Sequence, residues 1–126
     1  MKKLFTGRSR TTRVEDVIVV GPDDEFNRSL SEALNARLIP LRRRVFPDGE
    51  VCPRVMLESQ DELRGESVVL SMRERAGECA PNRYLAELLL TISNLKRDLG
   101  VSEVHLVMPY FPYARQDTIF LSLIHI

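Results

Sequence analysis

Two short stretches of the chain hold residue types that could do chemistry. The first is VFPDGEV, Val45 to Val51, where Phe46 stands beside the carboxylates Asp48 and Glu50. Pro-Asp-Gly between apolar residues is a turn signal. Turn formation alone does not call for an aromatic ring next to two acids. The second is PYFPYARQD, Pro109 to Asp117. Its prolines stiffen a loop, and Tyr110, Phe111 and Tyr113 crowd it with rings. Arg115, Gln116 and Asp117 then supply a fixed cation, an amide and a carboxylate. An arginine so placed can grip phosphate oxygens through two parallel hydrogen bonds. The same spacing equally fits a surface loop in which Arg115 and Asp117 pair with each other.

Other familiar chemistry is missing. There is no GxxxxGK[ST] phosphate loop and no GxGxxG fingerprint. His105 and His125 lie far apart without a carboxylate cluster, so no metal site is indicated, and His105 reads as a hydrogen-bonded strand residue. No Ser-His-Asp or Cys-His arrangement stands out. Arg42, Arg43 and Arg44 could hold a few phosphates. Strand alternation prevents all three from pointing one way, so a solvated face or pairing with nearby acids is expected instead. The 18 basic and 18 acidic residues cancel, which argues against a global attraction to nucleic acid or to a membrane surface.

These stretches need elements to position them. The 126 residues suit one domain with its own core, and 44% hydrophobic with 29% charged residues is a globular mix. Cys52 and Cys79 fit no ligand spacing and read as free thiols of a reducing cytoplasm. No apolar run is long enough to span a membrane. Residues 1–16 are basic and lack a signal-peptide core, and are expected to form a disordered leader.

VIVV, Val17 to Val20, reads as a buried strand. Asp23 and Asp24 can cap a following helix, with Phe26, Leu30, Ala33 and Leu34 on its apolar face. From Leu38 to Phe46 the period changes. Ile39, Leu41 and Val45 share one side of a strand, and Arg42 and Arg44 the other. The Pro-Asp-Gly turn joins this run to EVCPRVML as a hairpin. Pro53 cannot donate to a ladder, which places the second strand at an edge or across a bulge. SVVLSM, Ser67 to Met72, is another buried strand. A helix follows, with Asn82 as a candidate cap, Leu85, Leu88, Leu89, Ile92, Leu95 and Leu99 on one face, and Gly100 suiting its end. EVHLVMPY, Glu103 to Tyr110, is again a strand. This alternation predicts an α/β fold, a mostly parallel sheet flanked by helices with an inserted β-hairpin. Ligands of such sheets bind beyond the carboxyl ends of the strands, where PYFPYARQD begins.

Two segments together, RRVFPDGEVCPRV and NRYLAELLLTISNLKRDLGVSEVHLVMPYFPYARQD, resemble the N-terminal part of the ribose-phosphate pyrophosphokinases, or PRPP synthetases. The similarity runs from about Val17 to Asp117. It implies the N-terminal half of a phosphoribosyltransferase-like domain. It also implies a homo-oligomeric enzyme that moves the β,γ-diphosphoryl group of ATP to the 1-hydroxyl of ribose 5-phosphate, with Mg²⁺ required. By that resemblance Phe46 stacks on adenine while Asp48 and Glu50 meet the polar edge of the base. Arg115, Gln116 and Asp117 of a neighbouring subunit meet the same ATP from its phosphate side. The resemblance is expected to end at Asp117, with the apolar residues 118–126 matching nothing in the family. The family's metal ligands, catalytic basic loop and ribose-phosphate loop fall outside the similarity. The 126 residues alone are therefore expected to be inactive. A non-catalytic regulatory paralogue that keeps the fold is the alternative.

Overall fold

The computed structural model describes residues 17–74 and 80–114. The basic leader, Cys79, the Arg115–Asp117 segment, His125 and the apolar tail lie outside the described residues.

The chain runs β1 (Ile18–Gly21), α1 (Glu25–Ala33), β2 (Arg37–Val45), β3 (Val51–Val55), β4 (Ser67–Ser71), α2 (Pro81–Ser93) and β5 (Glu103–Val107). One five-stranded sheet has the order β3-β2-β1-β4-β5. β1 pairs in parallel with β2 and β4, and β4 in parallel with β5. Only the β2–β3 hairpin is antiparallel. The α/β reading with one inserted hairpin is thus what the structure contains. Pro53 sits opposite Arg43 in an edge strand, where a missing donor costs the ladder nothing.

β1 is central and buried along its whole length, as its β-branched residues require. Strand alternation sends Ile18, Val20, Val68, Leu70, Ile39 and Leu41 into the main core, where Tyr84, Leu88 and Leu95 of α2 and its extension cover them. The opposite face, with Val19, Gly21 and Ser71, receives Asn27 of α1. The crossovers from β1 and from β4 step in opposite directions along the sheet, so right-handed connections put the two helices on opposite faces.

α1 buries a different stripe from the expected one, while in α2 and its extension Leu88, Leu95 and Leu99 are buried as expected and polar residues join them. In α1 the buried residues are Asn27 and Ser31, while Ala33 is exposed and Phe26, Leu30 and Leu34 are half-buried. In α2 they are Tyr84, Glu87, Leu88 and Thr91, while Leu89 is 57% exposed. For Asn27 and for the polar residues of α2 the cause is polar satisfaction, whereas the buried Ser31 hydroxyl has no hydrogen-bond partner. Tyr84 donates its hydroxyl to the Met72 carbonyl at 2.7 Å, Thr91 Oγ1 donates to the Glu87 carbonyl at 2.7 Å, and Glu87 meets an arginine. Polar atoms with partners can occupy the inside of a helix.

The cap at Asp24 is confirmed, its carboxylate accepting from Asn27 N at 2.8 Å. Asn82 is not the cap of α2. Ala80 holds that position, with Pro81 at the first helical residue, and Glu74 Oε1 accepts the Ala80 N–H at 3.1 Å. α2 continues as a π-helical segment, Asn94–Asp98, that ends at Gly100 with φ +72. β5 stops at Val107, because the chain turns at Pro109 before the aromatic loop.

Candidate functional site

β1 ends where Gly21 faces Pro40, but β2 runs five residues further, to Val45. At ~3.3 Å per residue the hairpin overhangs the carboxyl edge of the sheet by ~16 Å. The turn VFPDGEV therefore stands on the side where α/β sheets bind ligands.

Turn chemistry fixes its shape. Gly49 N–H donates to the Phe46 carbonyl at 2.8 Å, and Phe46 N–H donates to the Glu50 carbonyl at 2.8 Å. Gly49 adopts φ +96, a conformation that strains a residue with a Cβ, and open space surrounds it. Asp48 Oδ1 accepts the Glu50 N–H at 3.0 Å, a side-chain bond that tightens the turn. Pro47, Asp48, Gly49 and Glu50 are exposed and Phe46 is half-buried. The Arg44 guanidinium lies 4.8 Å from the centre of the Phe46 ring. The structure thus brings Phe46, Asp48 and Glu50 together on one turn, with a cation stacked on the ring.

Alternation puts Arg42 and Arg44 on one side of β2 and Arg43 on the α2 side. Arg43 donates from Nε and Nη2 to Glu87 Oε1 at 3.2 and 2.6 Å, and from Nη1 to the Arg73 carbonyl at 2.6 Å. Both side chains are nearly sealed, at 8% and 1% exposure. The three arginines therefore do not form one cationic face, as alternation predicts. Sequence reasoning missed Glu87 and the inward position of Arg43. The available signal was a charge at an inward strand position, between Leu41 and Val45, and a second charge inside a helical apolar stretch.

The rest of the carboxyl edge is knitted to the same region. Asn27 Nδ2 donates to the carbonyls of Pro22 at 2.8 Å and Ser71 at 3.3 Å, and the Ser71 hydroxyl donates to Asn27 Oδ1. Arg73 lies 5.3 Å from the Phe26 ring centre and 3.8 Å from an Asp24 oxygen. Burial pushes the Tyr84 hydroxyl pKa above its ordinary value of 10; the Arg43 charge opposes the shift and Glu74 adds to it.

From the far edge, β5 leads into the aromatic loop. Tyr110 and Phe111 are exposed, Pro112 is buried, and Tyr113, at φ 66, donates its hydroxyl to Asn82 Oδ1. Arg115, Gln116 and Asp117, which follow, lie outside the described residues. A groove of about 680 Å³ between β3 and α2, lined by Val55, Leu57, Leu90 and Leu99 among others, does not include the turn residues Phe46, Asp48 and Glu50. Among the described residues no group of three His, Cys, Asp or Glu could hold a metal ion. His105 is exposed on β5, with Nε2 3.3 Å from Glu103 Oε1. Cys52 is a free, exposed thiol. Among the described residues no helix is long and apolar enough to cross a membrane.

Residues 16–122 match the family model described as the N-terminal domain of ribose phosphate pyrophosphokinase. The chain belongs to this family. A ribose-phosphate pyrophosphokinase of Methanothermobacter thermautotrophicus is 38% identical over 106 residues, covering 84% of this chain and 34% of the relative. Another, from Methanobrevibacter smithii, is 42% identical over 91 residues, covering 72% of this chain and 28% of that protein. The crystal structure of a phosphoribosylpyrophosphate synthetase from Mycobacterium smegmatis shares the fold, with a TM-score of 0.65 at 24% identity over 81% of this chain and 32% of that one. The chain thus spans about a third of the length of the ribose-phosphate pyrophosphokinases it matches.

Proposed function

We propose that this chain supplies the adenine-binding half of an ATP site in a ribose-phosphate diphosphokinase of nucleotide biosynthesis. In the reaction the 1-hydroxyl oxygen of ribose 5-phosphate bonds to the β-phosphorus of ATP. The bond from that phosphorus to the oxygen bridging the α-phosphate breaks, AMP leaves, and the hydroxyl proton passes to solvent. Such transfer rests on positioning and on neutralising charge. Mg²⁺, held by parts of the family outside this chain, supplies part of that neutralisation.

The observation that carries this reading is the rigid turn that holds Phe46 beside Asp48 and Glu50 beyond the carboxyl edge. Arg44 occupies one face of the ring, and a ring has a second face for a purine. Stacking a base on an aromatic side chain contributes roughly 1–3 kcal/mol. The two carboxylates accept from the exocyclic amine of adenine, a donor guanine lacks at that position.

The phosphate side falls to Arg115, Gln116 and Asp117 of a second copy. The protein is read as a cytoplasmic homo-oligomer. The 126 residues alone bind ATP and are inactive, releasing no AMP with ribose 5-phosphate.

The test joins this chain in frame to the remaining part of the Methanothermobacter relative. Phe46→Ala should raise the KM for ATP about tenfold or more, the equivalent of at least ~1.4 kcal/mol. The KM for ribose 5-phosphate should stay within about twofold. Equal effects on the two substrates would count against adenine recognition at this turn.

A further inference from the structure

We propose that Arg43 is a positioning residue that sets the pose of the Phe46 turn, acting through its buried contacts with Glu87 and the Arg73 carbonyl. The inference rests on the adenine reading above and adds residues that touch no nucleotide.

Beyond Pro40, β2 has lost its pairing with β1, so Leu41 to Val45 pairs with β3 alone, and the root of β3 packs against α2 and the core. A two-stranded ribbon in water is marginally stable, and a ligand-binding turn at its tip would swing. The ribbon must be tied to something rigid. Leu41 is buried in the core at its root. The next inward residue is Arg43, and after it only half-buried Val45 precedes the turn. Arg43 is therefore the last deeply buried side chain before Phe46. Its planar fork spends two donors on Glu87 in α2 and one on the backbone just after β4. Three hydrogen bonds to two partners on different elements act at one guanidinium, a planar geometry that a lysine's single ammonium does not copy.

An apolar pair could fill the same volume without the cost of burying charge. Hydrogen bonds to fixed partners give what apolar packing does not, a defined orientation. The Arg73 carbonyl extends the tie, because the Arg73 side chain covers the Phe26 ring of α1 and approaches Asp24. The hairpin is thereby registered to α1, β4 and α2 together.

The experiment titrates ATP into the 126-residue chain and follows the Phe46 ring and the Gly49 amide by NMR. The variants are Arg43→Lys and Glu87→Gln, each alone and combined with Phe46→Ala. Amide hydrogen exchange is read at Phe46 and Gly49, and at Val19 and Val20 as core references. Either tie variant should weaken ATP about fivefold or more, and in its background Phe46→Ala should cost far less than in the wild type. Exchange at the two turn amides should speed up while the core amides stay protected. Losses that simply multiply, or turn amides that exchange unchanged, overturn the inference and leave the adenine reading standing. Wild-type chain without shifts at the turn, or Phe46→Ala without loss of ATP binding, overturns the adenine reading and this inference with it. If both tie variants unfold the chain, Arg43 supports the core and does not position the turn, which also overturns the inference.

Discussion

Gly21→Ala is the substitution whose cost the structure defines most sharply. A Cβ at Gly21 would sit 2.3 Å from the Ser71 carbonyl oxygen and 2.6 Å from Asn27 Nδ2. Contact normally begins near 3.4 Å, so one partner must retreat by about 1 Å. Neither can do so freely. The Ser71 oxygen is backbone at the end of a central strand, and Asn27 is buried with bonds to Pro22 and Ser71. Forcing extra volume into such a place costs roughly 1–3 kcal/mol. Each buried hydrogen-bonding group left without a partner adds roughly 1–3 kcal/mol. Against this, alanine restricts the unfolded chain and returns about 0.4–1 kcal/mol. The net is a loss of about 1–6 kcal/mol, centred near 3, against the ~5–15 kcal/mol that holds a domain together. Urea unfolding followed by circular dichroism measures it. With a slope of ~1–3 kcal/mol per molar, the midpoint should fall by about 1–2 M or more. Gly49→Ala is the internal control. It also replaces a glycine, but nothing lies within 4 Å, so only its φ of +96 is at issue and the cost should be near 1 kcal/mol. A Gly21→Ala chain as stable as wild type, or more stable than Gly49→Ala, would refute the close approach of β1, β4 and α1.

Tyr84→Phe should cost about 1–3 kcal/mol at neutral pH, because the Met72 carbonyl loses its buried donor. Since burial raises the Tyr84 pKa above 10, its contribution is complete below pH 10 and is lost as pH rises through the folded-state value. The difference in ultraviolet phenolate absorbance between wild type and Tyr84→Phe should show the Tyr84 phenol ionising above pH 10, and a midpoint at or below 10 would contradict this. The hydrogen bond from Arg37, first among several, holds the Glu62 carboxyl below its ordinary value of 4.5. That pair's contribution is complete above pH 4.5 and fades as pH falls through the lowered folded-state pKa. An NMR titration of Glu62 with its midpoint at or above 4.5 would be wrong for this geometry, and Glu62→Gln should flatten this part of the acid limb.

The backbone plan was readable because its causes are local. Val17 to Val20 is β-branched and continuous, Asp24 caps α1, and Pro-Asp-Gly closes the hairpin. Pro53 at an edge follows from its missing donor. The apolar stripe of α1 and the polar members of the α2 stripe were misread for a physical reason. Hydrophobic periodicity weighs apolar atoms and treats a polar side chain as outward-facing. Glu87 is inside because of Arg43, and Asn27 because of Ser71, each partner 44 residues away in sequence. No window along the chain contains both members of either pair. Once those pairs go in, Leu89 and Ala33 are turned outward by helix geometry alone.

The turn shows the same division between local and distant causes, and it separates the two acids that sequence reading treated alike. Asp48 is already committed, because its Oδ1 closes the turn on the Glu50 amide. Gly49 is required by φ, and Pro47 restricts the chain before it. Asp48, Gly49 and Pro47 are therefore explained by folding without any ligand. Among the described residues the Glu50 carboxylate takes no hydrogen bond, and nothing in the turn requires it. Phe46 is in the same position, since its backbone makes the turn and its ring does not. A substitution at Asp48 would mix loss of the turn with loss of a ligand contact. Phe46 and Glu50 are the two side chains whose presence turn chemistry leaves unexplained, and adenine recognition should be sought in their effects.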